Sequence, residues 1–268
     1  MRYTARELSG NVNVSSSHPL IELAWLAGGL IALVAVIYLA FWGIAELVVP
    51  RTPVDIEVWA GRHLLGRVAS QENPHLTELV RGMVQPLAAD SPLHRYDFTV
   101  SVIENETVNA LALPGGRIVV FSGLLKQARS ENELAMVLGH ELGHYAHRDH
   151  LRGMGRGLGV TLALAMLFGQ NSQAAGMASN LFLGMEMRYS QQQESAADAY
   201  GLDLLAARYG HAGGATDFFA RLADQADGKL AYLLASHPHP QDRLTGLQKM
   251  IVARGYAIGP TVPLPGLQ

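Results

Sequence analysis

The segment His140-Glu141-Leu142-Gly143-His144 places two histidines four residues apart, with a glutamate directly after the first. In an α-helix, residues four apart lie on one face, so both imidazoles can reach the same metal ion. Glu141 would then lie beside that ion, where its carboxylate can take a proton from a water molecule. The pattern therefore predicts a helix here and a metal site on it.

The residues around this segment favour a buried helix. Ser130 is expected to be its N-cap, and Glu133 should reach back to complete a capping box. Apolar residues then follow at helical spacing and predict a buried stripe: Leu134, Val137, Leu138, Leu142 and Tyr145. Gly139 and Gly143 suggest that another element packs closely against the same helix. The two histidines should thus lie inside the core of the domain.

A catalytic zinc ion usually takes three protein ligands, so a third one must come from elsewhere in the chain. The preferred candidate is Glu194, with Asp198 four residues later as a carboxylate that can orient a ligand histidine. The alternative is His150, which has the spacing of the metzincin signature. That signature needs a glycine where His147 stands, and His147 is instead expected to be a polar residue at the helix exit.

A short β-hairpin is predicted just before the metal-binding helix. Phe98, Val100 and Val102 alternate with polar residues, as in a strand with one buried face. An apolar segment from Asn109 to Leu113, a Pro-Gly-Gly turn and a second apolar run complete the pattern. A strand at the edge of a sheet beside the helix could pair with an extended peptide.

Five blocks of the sequence resemble the HtpX and CAAX prenyl protease family of membrane-associated gluzincin zinc metallopeptidases, which includes BepA-like periplasmic proteases. These blocks are Asn109 to Gly116, Val119 to Leu125, the His140 motif, Glu194 to Asp198, and His237-Pro238 with Arg243. The resemblance implies a peptidase that cuts proteins or peptides at or near a membrane.

The resemblance also implies a role for each matching residue. His140, His144 and Glu194 would bind one Zn²⁺ per chain, with Glu141 as the catalytic general base and Asp198 as the partner of a ligand. Asn109 and Ala110 would lie along the cleft edge where substrate binds. His237 would act at the site, either by donating a hydrogen bond to the oxyanion or by coordinating the metal and keeping the enzyme latent.

The stretch from Leu23 to Ala45 contains no charged residue. A helix of this length can cross a bilayer. We expect an uncleaved signal-anchor at 20–49 in a single-pass protein, with the bacterial inner membrane as its location. Arginines on both sides leave the orientation open, with a slight preference for a periplasmic catalytic domain. A second uncharged stretch, 157–185, is expected to form two buried or surface-embedded helices; the alternative is a membrane hairpin.

Composition limits the remaining possibilities. A net charge of −3 and the lack of a basic cluster argue against nucleic-acid binding, and a chain without cysteine has no thiolate ligand or disulfide. The expected organisation is an N-terminal tail at 1–19, the anchor, a metallopeptidase domain at 50–254 and a flexible C-terminal tail at 255–268.

These observations predict an α+β, mostly helical fold: a zincin-type catalytic domain with a small β-sheet edge beside the active-site helix, preceded by one transmembrane helix. The expected function is a membrane-anchored zinc metalloendopeptidase acting on unfolded or damaged proteins near the membrane. The alternative is a latent or non-proteolytic chaperone or scaffold whose zinc site is blocked by His237. The sequence leaves the oligomeric state open.

Overall fold

The computed structural model describes residues 18–64, 71–155, 189–224, 237 and 240–264. Its first helix, α1 (Pro19–Val48), has 30 residues. Within Pro19–Arg51, the most apolar window has a mean hydropathy of 2.4 and is 0% buried. By length and composition, this helix can cross a hydrocarbon core of about 30 Å. It coincides with the predicted anchor, whereas the predicted helices at 157–185 lie outside the described residues.

Two helices, α2 (Val54–Leu64) and α3 (Pro74–Val84), follow the first. The side chain of Asn73 caps α3 by accepting a hydrogen bond from the backbone N–H of Leu76 at 3.0 Å. One face of α3 is buried in the core through Leu76, Val80 and Met83. This face has the i, i+4, i+7 spacing of an amphipathic helix packed on one side.

The described residues contain four strands, β1 (Gln71–Glu72), β2 (Thr99–Ile103), β3 (Ala110–Leu113) and β4 (Arg117–Phe121). They form one sheet in the order β1-β2-β4-β3, in which β3 and β4 make the predicted antiparallel hairpin. Its turn uses Gly115 and Gly116 at φ values of +86° and +83°, which favour glycine. Because β2 pairs in parallel with β4, β3 is left at the edge of the sheet.

A short helix, α4 (Ser122–Gln127), leads to the motif-bearing helix α5 (Glu131–His147). Ser130 caps α5 as predicted, because its hydroxyl oxygen accepts a hydrogen bond from the Glu133 backbone N–H at 3.2 Å. The second hydrogen bond of the predicted capping box, from the Ser130 backbone N–H to the Glu133 carboxylate, is wrong. The Glu133 carboxylate accepts instead from the Arg129 backbone N–H at 2.9 Å and pairs with Arg221 at 2.5 Å, which draws it away from Ser130.

The helix α5 is buried on all sides, since each residue from Asn132 to Tyr145 is buried. One neighbour is the helix α6 (Gln191–Tyr209). A Cβ atom on Gly143 would lie 2.7 Å from the Ala197 Cα, and one on Gly139 would lie 3.1 Å from the Gly201 Cα. The prediction of a closely packed element is therefore confirmed, and it brings the backbones of α5 and α6 together at the motif.

The helices α7 (Asp217–Asp224) and α8 (Pro240–Arg254) complete the described domain. Residues 255–264 then run back along it, unlike the flexible tail that the sequence predicts. The backbone N–H of Glu131 donates to Val262 at 2.9 Å, and the Val262 N–H donates to the Asn132 side chain at 2.8 Å. The first turn of a helix has N–H groups without helical partners, and this segment supplies one acceptor for α5.

Together these elements form the expected α+β fold, which is mostly helical with one small mixed sheet. A single apolar cluster joins α3, the sheet, α5, α6, α7 and α8. The motif histidines lie inside this cluster rather than on its surface.

Candidate metal centre

The two motif histidines converge on one point. The Nε2 atoms of His140 and His144 lie 3.1 Å apart, and both side chains are buried. This follows from their spacing on α5, where residues four apart stand one turn above the other.

The helix α6 brings Glu194 to the same point. One carboxylate oxygen of Glu194 lies 3.5 Å from the His144 Nε2 atom, and the other lies 3.7 Å from the His140 Nε2 atom. Ser190 starts α6 with a complete capping box, so the position of its first turn is well defined. The close contact between α5 and α6 thus delivers the third donor group.

His237 supplies a fourth donor. Its Nδ1 atom lies 3.0 Å from a Glu194 oxygen and 3.2 Å from the His140 Nε2 atom. One ligand atom from each of these four residues lies within 4.8 Å of the others, and all four side chains are buried. The family resemblance implied a role for His237 at the site, but only the tertiary structure puts its ring among the other donors.

The residues present fit a metal ion in both spacing and chemistry. Two ligands of a tetrahedral zinc ion, each about 2.0–2.1 Å from the metal, lie about 3.3 Å apart. The five separations given above, from 3.0 to 3.7 Å, bracket this value, and all four donor atoms lie within 4.8 Å of one another. Three imidazole nitrogens and one carboxylate also form a donor set that suits zinc.

A buried ion pair orients His140 through its other nitrogen. The Nδ1 atom of His140 lies 2.9 Å from Asp198, and Arg243 donates two hydrogen bonds to the same carboxylate at 2.9 and 2.6 Å. Although burial alone raises the pKa of Asp198, Arg243 and His140 lower it to about 2. Arg243 also lies 3.1 Å from Glu194 and stacks over Phe219 at 4.4 Å.

His144 has its own carboxylate partner, which the sequence pattern did not identify. Its Nδ1 atom lies 3.1 Å from Asp149, and the ring of Tyr189 stacks on it at 3.7 Å. An acidic residue just after the predicted end of α5 was the available signal. Five residues is not a helical neighbour spacing, however, so the contact depends on how the helix ends.

Glu141 is buried beside the donors without being one of them. Its Oε1 atom lies 3.7 Å from the Nε2 atom of His237, and its Oε2 atom has no hydrogen-bond partner among the described residues. Burial raises the pKa of Glu141. A carboxylate with a raised pKa is a stronger base and accepts a proton more readily.

Two further motif histidines lie elsewhere. His150 is buried and lies 2.9 Å from Glu57 of α2, with its ring against Tyr145. His147 is exposed in the last turn of α5. Among the described residues, the structure thus brings Glu194, and not His150, to the two motif histidines.

The predicted cleft edge lies next to this cluster. Ala110 begins the edge strand β3 and lines the same small cavity as His140 and Glu141. Asn109 is buried just before it, and its side-chain oxygen accepts a hydrogen bond from the Ala110 backbone N–H at 3.0 Å. The open side of β3 therefore begins beside Glu141.

The fold and the site together define a metallopeptidase of the gluzincin type, with a two-histidine motif on one helix and a glutamate on another. The match to known families agrees. Residues 70–251 match the model of Peptidase family M48, so the chain belongs to that family. The two-histidine motif and the buried donor groups around it agree with this family assignment.

Several curated proteases are similar to this chain. It is 32% identical over 186 residues to a putative beta-barrel assembly-enhancing protease of Vibrio cholerae, which covers 65% of this chain and 38% of that protein. It is 33% identical over 157 residues to the mitochondrial metalloendopeptidase OMA1 of Arabidopsis thaliana, which covers 58% of this chain and 32% of that protein. For the metalloprotease LoiP of Escherichia coli the identity is 33% over 156 residues, which covers 55% of this chain and 60% of that protein. The chain thus spans about a third to three fifths of these relatives.

Proposed function

We propose that the chain is a membrane-anchored zinc metalloendopeptidase in which His140, His144 and Glu194 hold one Zn²⁺. The observation that carries this proposal is the buried set of donor atoms within 4.8 Å of one another. The unpartnered Oε2 atom of Glu141 beside them supports a catalytic rather than a purely structural site.

The chemistry divides between the metal and the protein. Held by His140, His144 and Glu194, a zinc ion would polarise the scissile carbonyl and make the attacking water more acidic. Glu141 takes the proton of that water on its carboxylate and passes it to the leaving amine. Burial raises the pKa of Glu141, which favours acceptance of the proton by this carboxylate.

Substrate is expected to bind as an extended peptide along β3. The strand lies at the edge of the sheet, and Ala110 lines the cavity that contains Glu141. Pairing with β3 beyond Asn109 would use backbone groups of the substrate, which all sequences share. This mode of recognition favours broad specificity, as in the removal of unfolded or damaged proteins.

The location of the enzyme follows from α1, which we propose as a single transmembrane anchor in the bacterial inner membrane with the catalytic domain in the periplasm. Proteins beside the membrane are then the natural substrates. The similarity to a putative beta-barrel assembly-enhancing protease of Vibrio cholerae supports a role in protein quality control.

The orientation can be measured directly, since the native chain contains no cysteine. A single cysteine at Ala89, which is exposed, would be labelled in intact cells by a thiol reagent that does not cross the inner membrane. Labelling in intact cells supports the periplasmic orientation. Labelling only after lysis would place the domain in the cytoplasm.

The enzymatic proposal is tested by cleavage of an unfolded protein by the detergent-purified full chain and by its Glu141→Gln variant. The variant should retain zinc and lose at least a hundredfold in rate, since it lacks the base. Glu131→Gln is the matched control, because Glu131 lies on the same helix and pairs with Tyr209 rather than with the metal donors.

Equal cleavage by wild type and the Glu141 variant would refute the assigned base. Absence of zinc from the purified wild-type chain would refute the metal site itself. Loss of activity in the Glu131 control as well would show that the helix, rather than the base, had been damaged.

A second candidate is a latent enzyme or a chaperone-like protein whose zinc site is blocked by His237. The position of the His237 Nδ1 atom, 3.2 Å from the His140 Nε2 atom, favours it over a purely oxyanion-binding role in this conformation. Replacing His237 with alanine separates the two roles. Faster cleavage by the variant would indicate release from latency, and slower cleavage would indicate a direct contribution to catalysis.

A further inference from the structure

Asp149 is a buried carboxylate at the metal centre that none of the roles above uses. It is 2% exposed, and its Oδ2 atom accepts the hydrogen bond from the Nδ1–H group of His144 at 3.1 Å. Its Oδ1 atom accepts hydrogen bonds from Gln193 at 2.7 Å and from Arg152 at 3.3 Å. Both carboxylate oxygens are therefore engaged, and one of them holds a metal ligand.

The backbone at Arg148 explains how Asp149 reaches His144. Arg148 has a φ of +58°, and it is the one non-glycine residue with positive φ among those described. This left-handed residue ends α5 and turns the chain, so that Asp149 points back at the last turn of the helix. The Arg148 side chain secures the turn by donating to the Val49 and Thr52 carbonyls, just after α1.

Asp149 also connects the two helices that carry the ligands. Gln193 lies one residue before Glu194, and its amide group donates to Asp149 while its oxygen accepts from the Ser190 backbone N–H. Gln193, a member of the capping box of α6, thus contacts the same carboxylate that holds His144 of α5. A single side chain thereby fixes a ligand on one helix relative to the start of the other.

We propose that Asp149 is a positioning residue for the metal ligand His144. By accepting the Nδ1–H hydrogen bond, it fixes the tautomer in which the Nε2 lone pair faces the metal, and it holds the ring in that orientation. This inference rests on the proposed function, because it takes the ion to be zinc. Each motif histidine then has its own carboxylate, Asp198 for His140 and Asp149 for His144.

The test is zinc affinity, measured by competition with a chromophoric chelator on the detergent-purified full chain. Asp149→Ala should weaken zinc binding by about 10–100-fold, the usual effect of removing a carboxylate partner of a ligand histidine. Asp149→Asn should lose less, but still more than about twofold, because its amide oxygen can accept the Nδ1–H bond but lacks the negative charge that strengthens it. The melting temperature of the metal-free protein is recorded in parallel.

Arg152→Gln is the matched control. It removes the ion pair with Asp149 but leaves the bond to His144, so its zinc affinity should stay within about twofold of wild type. Equal zinc affinity in wild type and both Asp149 variants would overturn the proposal. So would a lower melting temperature of the metal-free Asp149 variants with unchanged zinc affinity, because that pattern describes a residue that only stabilises the fold.

The failure of this inference differs from the failure of the proposed function. If the wild-type chain binds no zinc, the proposed function itself is wrong. If the wild type binds zinc and Asp149→Ala binds it equally, only the positioning role is wrong. If Asp149→Ala does not fold, the zinc affinity of Asp149→Asn decides, and a wild-type value in that variant overturns the proposal.

Discussion

Gly143 and Ala197 face each other so closely that a Cβ atom on Gly143 would lie 2.7 Å from the Ala197 Cα. Gly143 stands beside His144, and Ala197 lies one turn after Glu194. The distance between the two helices that carry His144 and Glu194 therefore depends on the missing side chain at Gly143. The geometry of the proposed metal site therefore depends on how closely α5 packs against α6.

Gly143→Ala should push the two helices apart. We expect it to lower the free energy of unfolding by about 1–3 kcal/mol, as overpacking does, and to weaken zinc binding because Glu194 moves with α6. Gly246→Ala on α8 is the control, since a Cβ there meets nothing within 4 Å. It should be neutral or stabilising by up to about 1 kcal/mol. Equal zinc affinity in wild type and Gly143→Ala would contradict this account.

Arg243 should be required for the stability of the metal-free protein. Its replacement by alanine would leave the buried carboxylates of Asp198 and Glu194 without their compensating charge. We expect a loss of about 3–5 kcal/mol in the free energy of unfolding, measured by chemical denaturation. Arg254→Ala removes a more exposed pair with Asp203 and should change stability by less than about 1 kcal/mol. Similar losses in the two variants would argue against a special role for the buried pair.

The left-handed turn at Arg148 can be separated from its side-chain contacts. Arg148→Gly and Arg148→Ala both lose the hydrogen bonds to Val49 and Thr52, but only glycine adopts a φ near +58° without strain. After allowance for the greater freedom of glycine in the unfolded chain, the glycine variant should be more stable by about 0.5–1 kcal/mol. Denaturation curves for the two variants test this, and an alanine variant at least as stable as the glycine one would disprove it.

Glu57 should give the protein acid-sensitive stability. Burial raises its pKa, but hydrogen bonds from His150 and Tyr96 outweigh that effect and leave the pKa below its ordinary value of 4.5. Its contribution is therefore complete above about pH 4.5 and is lost as the pH falls through the folded-state pKa.

The expected result is that Glu57→Gln is less stable than wild type at pH 7, by about 1–3 kcal/mol, and that the difference shrinks below pH 4.5. Thermal unfolding as a function of pH measures it. Glu78→Gln is the control, because Glu78 is exposed on α3. A stability difference between wild type and Glu57→Gln that is constant from pH 7 to pH 3 would exclude this linkage.

Much of the site was predictable because it depends on local geometry. Helical spacing by itself places His140 and His144 on one face, and Ser130 starts that helix by a cap within the same segment. The alternation of Phe98, Val100 and Val102 likewise predicts a strand with a buried face. The family blocks added Glu194 and His237, and their separation from the motif histidines runs from 50 positions, Glu194 to His144, to 97 positions, His237 to His140.

Contacts between distant segments were less predictable. The Glu133 carboxylate turns to Arg129 and Arg221 instead of completing the capping box, because Arg221 reaches it from α7. The final segment is hydrogen-bonded to the start of α5, although its glycine and proline content is typical of a flexible tail. In both cases the partner lies far along the chain, so no local pattern records it.

The sequence by itself determined the apolar helix α1, the motif helix and the placement of His140 and His144 on one face of it, since each depends on residue type and on spacing within one element. Only the tertiary structure decided that Glu194 rather than His150 faces the two histidines. The physical reason is steric, because α6 approaches α5 over glycine and alanine, while the turn at Arg148 directs His150 towards Glu57 and Asp149 towards His144.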